Sequence, residues 1–141
     1  MIIIDTNVLS EIMRPEPEPA VISWLQSQAG PDLYTTSISV AEILFGLERL
    51  PTGRRREQLA AAARDLFEAF DQQVLPFDVP AASEYATIAY AKERAGAPIS
   101  GFDAQIAAIC RTHRASLATR NVKDFEATGV ELVNPWSPRE T

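Results

Sequence analysis

Met1-Ile2-Ile3-Ile4-Asp5-Thr6-Asn7 opens the chain, and the reading of these seven residues decides the fold. Ile2, Ile3 and Ile4 form an uninterrupted β-branched run. A strand without polar alternation is buried on both faces, as parallel strands covered by helices are. The run stops abruptly at Asp5, Thr6 and Asn7. In an open parallel sheet, ligands bind in the crevice outside the carboxyl ends of the strands. Asp5 therefore falls where such a fold carries its chemistry. A plainer reading stands beside this one, in which Asp5 or Thr6 only caps the helix that follows.

Outward from this stretch, helical and strand patterns alternate. Val8 to Met13 reads as a short helix, which Arg14-Pro15-Glu16-Pro17-Glu18-Pro19 breaks into an extended connector. Pro19 suits the first turn of a second helix bearing Val21, Ile22, Trp24 and Leu25. Leu33 to Ile38 reads as strand two. Ser39 opens a third helix, with Val40, Ile43, Leu44, Leu47 and Leu50 at helical spacing. Arg54-Arg55-Arg56 begins a fourth, with Leu59, Leu66, Phe67 and Phe70 on one face. These arginines oppose the macrodipole and read as a solvated face, with an RNA-backbone contact as the alternative. Val74 to Phe77 makes strand three. Asp78 caps a fifth helix that carries Pro80 in its first turn and stops at Gly96-Ala97-Pro98. Ser100 caps a sixth helix through Arg111. Leu117 to Thr119 and Val130 to Val133 complete five strands. The pattern predicts an α/β fold with a five-stranded parallel sheet covered on both faces. One domain is expected over residues 1–136, followed by a frayed polar tail over 137–141.

Composition narrows the function. Of 141 residues, 46% are hydrophobic and 23% charged, which suits an ordinary globular domain. No apolar run approaches the roughly 18 residues of a membrane span, and no signal peptide is visible, so cytoplasmic residence without a membrane partner is expected. The single cysteine, Cys110, lies among apolar helical residues and reads as a buried small hydrophobe. His113 has no second His or Cys with which to form a zinc site. A net charge of −6 argues against binding nucleic acid through a basic surface, but leaves room for a nucleic-acid substrate handled by metal-bearing acids.

Four carboxylates fall at element boundaries. Asp5 follows strand one, Glu42 sits in the first turn after strand two, Asp103 in the first turn of helix six, and Asp124 just past strand four. A parallel sheet brings Asp5, Glu42 and Asp124 to one edge, whereas Asp103 depends on the tertiary fold. The capping reading remains open for two of them: Ser39-Val40-Ala41-Glu42 matches a capping box and Ser100-Gly101-Phe102-Asp103 nearly does. Clustered like charges cost energy unless a cation compensates them. Such a cluster without a clustered Lys or Arg suits Mg²⁺ or Mn²⁺ and points to phosphodiester hydrolysis. No glycine-rich phosphate loop or Gly-x-Ser-x-Gly elbow is present to suggest nucleotide binding or acyl transfer.

Ile3-Ile4-Asp5-Thr6-Asn7, Val40-Ala41-Glu42, Asp103-Ala104 with Ile106-Ala107-Ala108, and Thr119-Arg120-Asn121 occur in an order and spacing that resembles the PIN domain. Within it, the set resembles the VapC-type toxins of bacterial toxin–antitoxin pairs. The opening Ile2 to Glu11 and the closing Asn134-Pro135-Trp136 look like the FitB-type subgroup. The resemblance covers nearly the whole chain. It implies an α/β/α sandwich, an endoribonuclease dependent on Mg²⁺ or Mn²⁺ that cuts an RNA such as tRNA or mRNA, and a homodimer. It also implies a tight complex with a VapB/FitA-like antitoxin, whose C-terminal segment fills the active site and whose N-terminal domain binds operator DNA. Asp5, Glu42 and Asp103 match the family's acidic triad, and Thr6 and Thr119 match pocket-lining polar residues. Where many members carry a fourth Asp, this chain has Asn121, with Asp124 as the acid that could substitute in a second metal site. A PIN-like binding module acting mainly through its antitoxin complex is the runner-up. A phosphoryl-receiver domain fits less well, because no basic residue ends strand five.

Overall fold

The computed structural model describes residues 1–138. Its elements run β1 (Ile2–Ile4), α1 (Thr6–Ile12), α2 (Pro19–Gln26), β2 (Leu33–Thr36), α3 (Ser37–Glu48), α4 (Arg54–Phe70), β3 (Val74–Leu75), α5 (Val79–Arg94), α6 (Gly101–His113), β4 (Ser116–Ala118) and β5 (Leu132–Val133). The five strands form one sheet in the order β3-β2-β1-β4-β5, and every pairing is parallel. β1 is central: Ile2 lies opposite both Leu33 and Ser116, and Ile4 opposite Ala118.

Side chains alternate across a strand, so the isoleucine run divides between two cores. Ile3 joins Leu117, Ile88, Ile106, Ile109 and Phe125, the face covered by α5 and α6. Ile4 joins Val8, Leu9, Val21, Trp24, Ile43 and Phe70, the face covered by α1 to α4. Both isoleucines are completely buried, as is Cys110 within α6. The expected three layers therefore form around β1. Among the described residues no helix is long and apolar enough to cross a membrane.

Several boundaries differ from the sequence reading. The first helix begins at Thr6, two residues earlier than expected, because Asp5 is its cap. β2 stops at Thr36, and Ser37 and Ile38 are already helical. Thr36 caps α3: its hydroxyl accepts the Ser39 N–H at 3.1 Å. The capping box expected from Ser39 to Glu42 is therefore not formed, and Glu42 sits in the second turn of α3. β3 stops at Leu75, β5 begins only at Leu132, and β4 is shifted one residue earlier because Ser116 pairs with Ile2 of β1. The first residue of the expected frayed tail, Ser137, donates its N–H to Asn134 O at 3.0 Å, and residues 139–141 lie outside the described residues.

The capping geometry yields a stability forecast. Thr36→Ala should cost about 0.5–2 kcal/mol, whereas Thr36→Ser, which keeps the hydroxyl, should recover most of it. Urea unfolding of the two variants measures the difference. Equal losses would show that burial of the Thr36 methyl, not the cap, is what matters.

Candidate active site

The carboxyl edge of the sheet opens into a cleft of about 490 Å³. Asp5, Glu42 and Asp103 line it together with Thr6, Asn7, Glu11 and Asn121. The triad thus converges from three separate elements: the end of β1, the second turn of α3 and the first turn of α6.

Asp5 is 3% exposed, and donors surround its carboxylate. Oδ1 accepts the Thr6 N–H at 2.8 Å, while Oδ2 accepts the Thr119 hydroxyl at 2.7 Å and Asn7 Nδ2 at 3.2 Å. Both readings of Asp5 therefore hold at once: it caps α1 and it faces the cleft. Asn7 also donates to Thr119 Oγ1 at 3.2 Å and accepts the Arg120 N–H at 3.1 Å, which stitches the turn after β1 to the turn after β4. Asn121 lends its N–H to Thr119 Oγ1 at 3.0 Å.

A second set of hydroxyls serves Glu42. Thr6 Oγ1 lies 2.9 Å from Glu42 Oε1 and 2.9 Å from Ser39 Oγ, and Thr36 Oγ1 lies 3.4 Å from Ser39 Oγ. A carboxylate only accepts, so the single Thr6 proton points to Glu42. Ser39 must then donate to Thr6, and Thr36 to Ser39. The chain of hydroxyls runs in one direction and ends on the carboxylate. Asp103 is half-buried, and its N–H donates to Ser100 Oγ at 3.2 Å, the cap expected from the sequence.

Desolvation dominates the electrostatics. Burial pushes the Asp5 carboxyl up to about 6, against the lowering effect of the bonds from Thr119 and Thr6 and with a further push from the charges of Asp103 and Glu42. Burial also raises Glu42, opposed by the Thr6 hydrogen bond and aided by Asp103. It raises Asp103 likewise, opposed by Ser100 and aided by Asp124. The three acids feel one another without closing up. Among the described residues no three His, Cys, Asp or Glu side chains are gathered tightly enough to hold a metal ion by themselves. An all-oxygen donor set of this kind fits Mg²⁺, which keeps several of its waters and needs only one or two carboxylates.

Asp124 does not line this cleft. It is exposed, on the short 3₁₀ turn Val122–Phe125, and lines a neighbouring cleft of about 300 Å³ with Asp103, Lys92 and Lys123. Its charge reaches the triad only through Asp103. The expectation of acids without basic neighbours is corrected as well, because Arg14 and Arg120 both line the triad's cleft. They arrive from the proline connector and the β4 turn, which only the tertiary fold brings together. Neither pairs with the triad. Arg14 Nη1 bonds the buried Glu11 at 3.0 Å, and the Arg120 guanidinium lies 5.0 Å from the centre of the Trp136 ring. Glu11, which also accepts the Glu18 N–H at 3.0 Å, went unread in the sequence because it ends a helix instead of starting one. Its signal is an acid three residues before Arg14, at the threshold of the proline run.

Fold and site together define a class: a three-layer parallel α/β domain that carries a carboxylate cluster, and no phosphate loop, at the carboxyl edge of its sheet. The PIN domain model matches residues 2–131, and the chain belongs to the PIN domain family. It is 39% identical over 139 residues to VapC ribonuclease Y4jK of Sinorhizobium fredii, with 98% of this chain and 99% of the relative covered. It is 39% identical over 138 residues to Toxin FitB of Neisseria gonorrhoeae, covering 96% and 99%. A solved structure of FitAB bound to an IR36 DNA fragment superposes with a TM-score of 0.92 at 36% identity, covering 99% of each chain.

The raised Asp5 value sets a pH dependence. In metal-free protein the folded carboxyl keeps its proton up to about 6, whereas the unfolded one releases it near 3.8. The native state then binds more protons across that window, so stability falls as pH rises through it. A shift of this size on so buried a group is worth about 3 kcal/mol. Urea unfolding in chelator between about pH 4 and pH 7 should show the loss, and Asp5→Asn should flatten it. Identical pH curves for parent and variant would contradict the raised value.

Proposed function

We propose that this chain is the toxin of a VapBC-like toxin–antitoxin pair, a divalent-metal-dependent endoribonuclease that hydrolyses RNA phosphodiester bonds in the triad's cleft. The observation that carries the reading is the convergence of Asp5, Glu42 and Asp103, all desolvated, on one cleft. The VapC ribonuclease and FitB relatives support it. Residues 1–136 act as one PIN unit.

Asp5, Glu42 and Asp103 would hold the ion, Mg²⁺ or alternatively Mn²⁺. When bound, it would lower the pKa of an attacking water and neutralise charge on the phosphoryl oxygens. The chain's own groups set the geometry. Thr119, Asn7 and the Thr6 N–H fix both oxygens of Asp5, and Thr6 fixes one oxygen of Glu42 and leaves the other free. Cation entry favours ionised carboxylates, so binding below about pH 6 releases the Asp5 proton. Hydrolysis adds water across one P–O bond and leaves a phosphate end and a hydroxyl end. Asn121, which lines the cleft, can offer a neutral amide oxygen to a second, weakly held ion. Asp124 acts on Asp103 through charge alone.

The same acids offer a docking point for the antitoxin. A guanidinium from the partner can pair bidentately with a carboxylate and replace the ion. The reading includes a homodimer and operator DNA held only through the antitoxin; the solved FitAB complex bound to a DNA fragment supports a DNA-bound assembly.

Chelation should abolish RNA cleavage, and Asp5→Asn, Glu42→Gln and Asp103→Asn should each reduce it to background while the protein stays folded. Asp124→Asn should lower it less. Gel assays with and without Mg²⁺, paired with thermal melts, test this. Triad variants that cleave as well as the parent, or a parent indifferent to chelator, would refute the proposal.

A further inference from the structure

The cleft contains more than its acids account for. Trp136, from the closing Asn134-Pro135-Trp136 motif, lines it beside Arg120. Arg14 is occupied by Glu11, but Arg120 makes no ion pair among the described residues. Its guanidinium instead lies over the Trp136 ring. Stacking uses the face of a guanidinium and leaves its N–H donors free in the plane.

Both halves of the pair are anchored. Trp136 is half-buried against the core around Ile4, Val8 and Ala118, and its backbone N–H donates to Asn134 Oδ1 at 3.0 Å. Pro135 before it is buried. On the other side, the Arg120 N–H donates to Asn7 Oδ1, and Asn7 Nδ2 donates to Asp5 Oδ2. Arg120 is thus tied to the buried carboxylate through one side chain. A phosphodiester entering the cleft meets three carboxylates, and like charges repel. A fixed cation with free donors at the rim offsets that repulsion. A planar guanidinium matches phosphate oxygens in pairs.

We propose that Arg120 binds a phosphate of the RNA strand next to the bond that is cut, and that Trp136 is the positioning residue that holds the guanidinium there. The proposal rests on the ribonuclease reading, so its test separates the two. The probe is a short fluorescein-labelled single-stranded RNA of mixed sequence. Its binding is followed by anisotropy across a salt series in Mg²⁺, with Asp103→Asn as the common inactive background. Cleavage kinetics are measured in the otherwise unaltered protein.

Arg120→Ala should weaken RNA binding about tenfold or more, as expected for a lost charged hydrogen bond. It should also flatten the slope of log affinity against log salt by about 0.7, the value for one phosphate contact on a single strand. Arg120→Lys should keep the slope and recover only part of the affinity. Trp136→Leu should raise KM more than it lowers kcat, Trp136→Phe should restore KM, and thermal melts should confirm that both fold. Unchanged affinity and slope in Arg120→Ala would overturn the proposal, as would a parent that does not bind the RNA. A larger affinity loss in Trp136→Leu than in Arg120→Ala would overturn it in favour of a base stacked on the indole. A parent that binds RNA but never cleaves it would refute the ribonuclease reading and leave the anisotropy result to judge Arg120.

Discussion

The structure depends on one costly placement: a carboxylate at the end of a wholly apolar central strand. Ile3 and Ile4 must be buried to bind the two helical layers to the sheet, and Asp5 follows them into the interior. Desolvation of a charged carboxylate is expensive and is tolerated when donors surround it. Thr119, Asn7 and the first N–H of α1 supply those donors. The turn after β1 and the turn after β4 are therefore shaped largely to satisfy one side chain. What remains uncompensated appears as the raised proton affinity of Asp5, which marks the cleft as a candidate functional site.

The same logic extends outward by hydrogen bonds. Thr6 starts α1 and also orients Glu42 of α3, so the first residue after Asp5 couples two of the three acids. Behind it, the buried hydroxyls of Ser39 and Thr36 continue the chain to the end of β2, where Thr36 doubles as the cap of α3. Every buried polar side-chain atom among the described residues has a partner. In a low-dielectric interior a satisfied network is rigid, and rigidity holds the carboxylates in fixed positions around the cleft. Glu11 performs the same service at the cleft mouth. It ties Arg14 and the Glu18 N–H across the proline connector, and α2 has no side-chain cap of its own.

Much of this was legible in the sequence. The isoleucine run announced a buried parallel strand, the alternation of patterns announced the layers, and Asp5 and Asp103 stood at the boundaries where the structure has them, while Glu42 fell one turn further into its helix than read. Ser100 capped its helix as read, because a local bond to a nearby N–H needs no tertiary help. Ser39 did not, because β2 ended at Thr36, whose hydroxyl accepts the Ser39 N–H and makes Ser39 the third residue of the helix instead of its cap. A propensity rule ranks both residues as caps, and only the point at which the strand ladder ends selects between them.

By itself the sequence determined the period-two division of β1 between two cores, the order of the elements, and the chemical type of each acid, since these follow from local pattern and side-chain identity. Tertiary structure alone decided which charges share a cleft. Asp103 arrives from a helix with no strand before it. Asp124 falls on the far side of Asp103, and Arg120 and Trp136 come together from the ends of two different strands. The physical reason is range: caps and alternation act over three or four residues, whereas Asp5 and Thr119 are 114 residues apart and meet only because β1 and β4 pair in the sheet.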